Sequence, residues 1–173
     1  MKSAIFYDRD GVLNQLVNRD QGQYSPQRFI DFKISNNAKE ITKYTSSLGF
    51  LNIVISNQPE ISRGTLAISE LNKMTSELYK KLVIDDVYYC KHDDRDNCDC
   101  RKPLPGLILK ASEKWKIDLN KSYFIGDSWK DIEAAKKASV KSFLIDRNYN
   151  ADYENANRIH SLLDVINLIG KQK

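Results

Sequence analysis

No stretch of this chain is long and apolar enough to cross a bilayer as a helix, which excludes a helical membrane protein. The opening residues MKSAIFYD meet charge too soon to form the apolar core of a secretory signal, so a cytoplasmic location is expected. There is no internal repeat, no low-complexity tract and no linker. The 173 residues suit one domain, 1–173, with one substantial core. Cysteine is scarce and odd in number: three, all between positions 90 and 100. Such a set argues against a disulfide framework and toward a metal site. A large excess of one charge is missing too. The net charge of +4 comes from scattered lysines, which suits an anionic substrate without making a nucleic-acid footprint.

Short apolar runs alternate with helical patterns. Strands are expected at 3–7, 50–55, 87–90, 122–125 and 142–145. Helices are expected at 37–48, where Gly49 would cap the end, and at 69–82, where Leu71, Met74 and Leu78 share a face. A third opens at Pro105 and carries Ile108, Ala111 and Trp115 on one side. Two more fall at 131–138 and 161–169. The alternation predicts an α/β, Rossmann-like parallel sheet with helices on both faces and a ligand site beyond the carboxyl ends of the strands.

Four polar constellations stand at those ends. Asp8-Arg9-Asp10-Gly11 follows the first strand and offers one carboxylate to attack phosphorus and another to manage a proton. Ser56-Asn57-Gln58 follows the second, where a hydroxyl and backbone N–H groups can hold a phosphate. Arg101-Lys102 stands at a helix entrance. Asp127 and Asp131 span a strand-to-helix turn, where they either offset the helix dipole or hold a hard cation. Taken singly, each is also what a capping turn or a surface pair looks like; their order along one sheet edge carries the argument.

In that order the segments DRDGVLN, ISNQ, CRKP and GDSWKD resemble the four motifs of the haloacid dehalogenase (HAD) superfamily phosphatases. The resemblance implies Asp8 as nucleophile and Asp10 as general acid and base. It implies Mg²⁺ on Asp8, Asp127 and the Asp10 backbone carbonyl, with Asp131 supporting the ion from behind. Ser56 and Lys102 would stabilise the transferred phosphoryl group.

Cys90-Lys91-His92 and Cys98-Asp99-Cys100 place three thiolates and one imidazole where tetrahedral zinc would be held by four protein ligands, a closed, structural arrangement. This zinc loop, about 90–100, would position Arg101 and Lys102. Running straight into CRKP, it resembles the heptose 1,7-bisphosphate phosphatases and the histidinol-phosphate phosphatases, and SNQPEISRG is similar to the heptose branch. Pro59, Glu60 and Ser128 depart from that pattern where the substrate would be read. No segment is long enough for a separate cap domain, so an open site is expected, roofed by the zinc loop and by residues 15–26. The expected substrate is a small phosphorylated sugar, with the 7-phosphate of D-glycero-D-manno-heptose 1,7-bisphosphate removed in nucleotide-heptose biosynthesis. Asn57, Arg101 and the 15–26 loop would read its sugar or second phosphate. Histidinol phosphate or another small ester is the alternative, and a nucleic-acid 3′-phosphatase the alternative of another class. Such an enzyme would need exposed aromatics, whereas Tyr88, Tyr89 and Trp129 are expected in the core. No membrane partner is expected, and a monomer is.

Overall fold

The structure, a computed structural model, describes residues 1–19 and 22–169. Ala4–Tyr7 (β1) consists of four side chains that are all buried, as only a strand covered on both faces can be. Val17–Arg19 (β2) and Gly22–Tyr24 (β3) pair antiparallel as a small separate hairpin. Ala38–Ser47 (α1) leads into Leu51–Asn57 (β4), and Ile68–Lys81 (α2) into Asp86–Cys90 (β5). Gly106–Trp115 (α3), Tyr123–Gly126 (β6), Trp129–Lys137 (α4), Lys141–Ile145 (β7), Asn157–Ile159 (β8) and Asp164–Ile169 (α5) complete the order.

Six strands form one parallel sheet in the order β5-β4-β1-β6-β7-β8. Side-chain alternation sorts the core into two layers. Ile5 and Tyr7 face Ile41 of α1, Met74 of α2 and Val165 of α5. Ala4 and Phe6 face Ile108 and Ala111 of α3 and Ala134 of α4. The sheet winds outward in opposite directions from β1, so a crevice opens at the carboxyl ends of β1 and its neighbours, where such folds bind ligands. No described helix is long and apolar enough to cross a membrane.

Several expectations need correction. β4 runs two residues past the expected end, so Ser56 and Asn57 belong to the strand. α4 starts at Trp129, because Ser128 and Asp131 form a capping box at its entrance. Pro105 is the N-cap of α3 and not its first residue, and α5 begins at Asp164. The hairpin and β8 were not anticipated. Their short polar sequences, VNR, GQY and NRI, lack the apolar run that marks a buried strand. The 15–26 loop contains that hairpin; its Asp20 and Gln21 lie outside the described residues. Tyr88 is buried as expected, and Tyr89 packs partly buried on the core. Trp129 is 47% exposed, because the first position of α4 faces solvent.

Candidate active site and a cysteine–histidine cluster

An open cavity of about 380 Å³ lies in the crevice, and Asp8, Asp10, Asn57, Arg101, Lys102, Asp127 and Asp131 all line it. Asp8 leaves β1 with its N–H on the Ile125 carbonyl at 2.9 Å, which ties β1 to the end of β6. Its Oδ1 accepts from Lys102 Nζ at 2.8 Å and from the Arg9 N–H at 2.7 Å. Lys102 also donates to the Ile55 carbonyl at 2.9 Å and pairs with Asp131 Oδ1 at 2.6 Å. The ammonium is thereby fixed between β1, β4 and the head of α4.

Asp131 serves two ends. Oδ1 meets Lys102, while Oδ2 accepts from the N–H groups of Asp127 and Ser128 at 3.2 and 3.0 Å. Gly126 makes room for it: a Cβ there would stand 2.3 Å from the Asp131 Cβ.

Oxygens of Asp8, Asp127 and Asp131 lie within 4.8 Å of one another. Burial is the main force raising the Asp8 pKa well above the carboxylate range. Lys102 opposes it, and Asp131 and Asp127 add to it. Burial, then Asp131, pushes Asp127 up to about 7. Burial alone would lower the Lys102 ammonium, but Asp131 and Asp8 outweigh it and raise its pKa. Three carboxylates facing one ammonium leave negative charge uncompensated, and the donors are all oxygen. A hard divalent cation such as Mg²⁺ fits that set.

Asp10 lines the same cavity but points its carboxylate into a buried network. Oδ1 accepts from Arg9 Nε, Arg9 Nη2 and Asn14 Nδ2 at 3.0, 2.9 and 3.0 Å. Oδ2 accepts from Gln58 Nε2 at 2.7 Å. Arg9 is fully buried, with its guanidinium 5.8 Å from the Phe32 ring centre and 5.7 Å from that of Tyr89. Burial alone would lower its pKa, and Asp10 reverses that. Sequence reasoning passed over Arg9, Asn14 and Gln58, although all three sit inside the motifs.

Two other residues of the motifs are placed as follows. Ser56 is buried under the cavity, where its Oγ accepts from Gln58 Nε2 at 3.0 Å. Asn57 lines the cavity, but its amide is spent on the Lys102 backbone, donating to the carbonyl at 3.0 Å and accepting from the N–H at 3.1 Å. It positions Lys102. Arg101 lines the cavity with Nε on Asp94 Oδ1 at 2.7 Å. Arg63 and Lys130, absent from the sequence-based site, add positive charge to the same wall. Pro59, Glu60 and Ser128, the three departures, also line it.

Beside this cavity, β5 ends in Cys90. Its Sγ lies 3.6 Å from His92 Nδ1 and 3.7 Å from Cys98 Sγ, and His92 Nδ1 lies 3.2 Å from Cys100 Sγ. Two Zn–S bonds of about 2.3 Å at the tetrahedral angle place their sulfurs about 3.8 Å apart, so the cluster already has the dimensions of such a site. The loop between its arms is tied to the cavity wall: Arg63 Nε donates to Asp93 Oδ2 at 3.0 Å.

A HAD-hydrolase-like family model matches residues 99–165. A D-glycero-beta-D-manno-heptose-1,7-bisphosphate 7-phosphatase from Helicobacter pylori is 36% identical over 148 residues, 82% of each chain. The enzyme of the same name from Escherichia coli is 31% identical over 98% of this chain and 95% of its own. Among solved structures, the D,D-heptose 1,7-bisphosphate phosphatase from B. bronchiseptica, complexed with magnesium and phosphate, superimposes with a TM-score of 0.83 at 23% identity, over 99% of both chains.

Proposed function

Because this chain belongs to the D-glycero-D-manno-heptose-1,7-bisphosphate 7-phosphatases of the HAD-like hydrolases, we propose that it removes the 7-phosphate of that sugar bisphosphate. It is a phosphatase. The observation that carries the mechanism is the Asp8–Lys102 pair inside the three-carboxylate cluster, at the point where the sheet changes its direction of winding.

Asp8 attacks the phosphorus through one carboxylate oxygen. The P–O bond to the sugar breaks, and the leaving oxygen takes a proton from Asp10 once that side chain turns from its buried network into the cavity that it lines. Water then attacks the aspartyl-phosphate, its proton passes to Asp10, and free phosphate leaves. Lys102 holds the charge that spreads over the phosphoryl oxygens. Ser56 supports this end of β4 from beneath the cavity, where its Oγ accepts from Gln58 Nε2. Asp8, Asp127 and the Asp10 carbonyl, backed by Asp131, would hold Mg²⁺, which would supply the positive charge that lets a carboxylate approach a phosphate ester. Zinc suits the Cys90, His92, Cys98 and Cys100 cluster, whose four ligands leave no open position. Arg63, Arg101 and Lys130 suit the second phosphate of a bisphosphate, and the wall with Pro59, Glu60 and Ser128 faces the sugar. We read residues 1–173 as one domain without a separate cap.

The test is a hydrolysis panel with Mg²⁺ that includes both anomers of heptose 1,7-bisphosphate, histidinol phosphate and a 3′-phosphorylated oligonucleotide. One phosphate should be released per heptose bisphosphate, and more efficiently than from the others. Preference for histidinol phosphate or the oligonucleotide would overturn the substrate.

A further inference from the structure

The turn after β7 fastens itself to both aspartate loops of the site. Arg147 Nη2 donates to the Gly11 carbonyl at 2.9 Å. Asn150 Nδ2 donates to the carbonyls of Asp127 and Ile145, both at 2.8 Å. Tyr149 OH donates to Asp127 Oδ2. The turn is held from behind by Arg158 of β8, which donates to Asn150 Oδ1 at 3.2 Å, the Asn150 carbonyl at 2.8 Å and the Tyr153 carbonyl at 2.7 Å. The short strand β8 is thus the anchor of a brace that reaches the reaction centre.

Tyr149 is 48% exposed, yet its hydroxyl is turned onto a buried carboxylate. A solvated phenol gains little from that orientation, whereas a ligating carboxylate gains a fixed rotamer. The phenol on Oδ2 leaves the carboxylate one orientation in which to meet a cation. Room on the other side is closed: a Cβ on Gly11 would stand 1.8 Å from Asp127 Oδ2 and 3.1 Å from Tyr149 OH. Asp127 is therefore gripped between the β7–β8 turn and the loop that carries Asp8.

We propose that Tyr149, carried on the Arg147–Asn150 brace, is a positioning residue for the magnesium site, fixing Asp127 so that one of its oxygens is presented to the ion. This rests on reading the Asp8 and Asp127 cluster as that site. Hydrogen-bond partners of metal ligands typically contribute about tenfold to a hundredfold in metal affinity or activity. Calorimetric titration with Mg²⁺ alone, on wild type, Tyr149→Phe, Tyr149→Ala and Asp127→Ala, tests it. Tyr149→Phe should bind Mg²⁺ on the order of tenfold more weakly. Its melting temperature in chelator should stay at the wild-type value, and its kcat should recover at saturating Mg²⁺. Equal affinity in Tyr149→Phe overturns the proposal, as does full rescue of the alanine variant by phenylalanine, which would make the ring a packing element. Asp127→Ala separates the two readings. If it binds Mg²⁺ like wild type, the ion is held elsewhere and both fall. If it loses binding while Tyr149→Phe does not, only the role of Tyr149 falls.

Discussion

The two ligand clusters sit side by side on one edge of the sheet and are held in opposite ways. Asp8, Asp127 and Asp131 leave the ends of buried strands or the head of a helix, and Lys102 ties Asp8 and Asp131 to the Ile55 carbonyl. The fold holds that cluster. The cysteine–histidine cluster has one ligand, Cys90, at a strand end, and three on an irregular loop. That loop is otherwise secured by exposed pairs such as Arg63–Asp93 and Arg101–Asp94, which contribute little in water. There the ligands must hold the fold. The contrast implies that an isosteric change at Asp8 should cost rate alone, and variants in the second cluster should cost rate and stability together.

The largest expected effect is Asp8→Asn. The amide keeps the shape but is no nucleophile, so turnover should vanish in freshly purified protein whose sequence is verified by mass spectrometry. Burial and neighbouring carboxylates already disfavour a charge at Asp8, so the melting temperature should hold or rise. A drop would break the contrast from its first side. Asp10→Asn comes next: rapid-quench kinetics should show formation and hydrolysis of the aspartyl-phosphate both slowed by about a hundredfold to ten-thousandfold. If only one step slows, one group does not serve both.

Cys98→Ser tests the second side. Misplacing a catalytic group by about 1 Å costs on the order of a hundredfold, and Lys102 is two residues from Cys100. The variant should lose activity by that order and should melt at lower temperature, though Cys98 lies outside the cavity lining. Elemental analysis of the wild-type protein should find about one zinc per chain; a zinc-free, fully active enzyme would erase the contrast. The smallest effect sharpens it. Asp94→Asn frees Arg101 from an exposed pair, so KM for a bisphosphate should fall by about threefold, with kcat unchanged. A rise in KM would show that the pair orients Arg101 for the substrate.

The parts of the site that the sequence announces are those set by local chain direction. Asp8, Lys102 and Asp127 each stand at the end of a strand or entrance of a helix, so their neighbours in sequence reveal their placement. Arg9 did not announce itself, because an arginine is rarely buried and between two aspartates reads as a spacer. Its burial rests on Asp10 beside it and on Phe32, Gln58 and Tyr89, which are far away in sequence. Ser56 was expected at the cavity because its chemistry fits, but the extra length of β4 puts it beneath and gives the lining position to Asn57. Tyr149 and Arg158 belong to a segment with no apolar period, and their value appears only once β8 brings the turn over the sheet.

Gly11 sets a limit on how this enzyme can drift. Its backbone has φ +83°, and the space beside its α-carbon is filled by the Asp127 carboxylate. Every single-base change in a glycine codon that yields another residue brings a Cβ with it. Each such step would push Asp127 off its place in one move, with no milder intermediate to pass through. Pro59, Glu60 and Ser128 in the cavity wall carry no such demand for a missing Cβ, while the turn at Gly11 carries it in full.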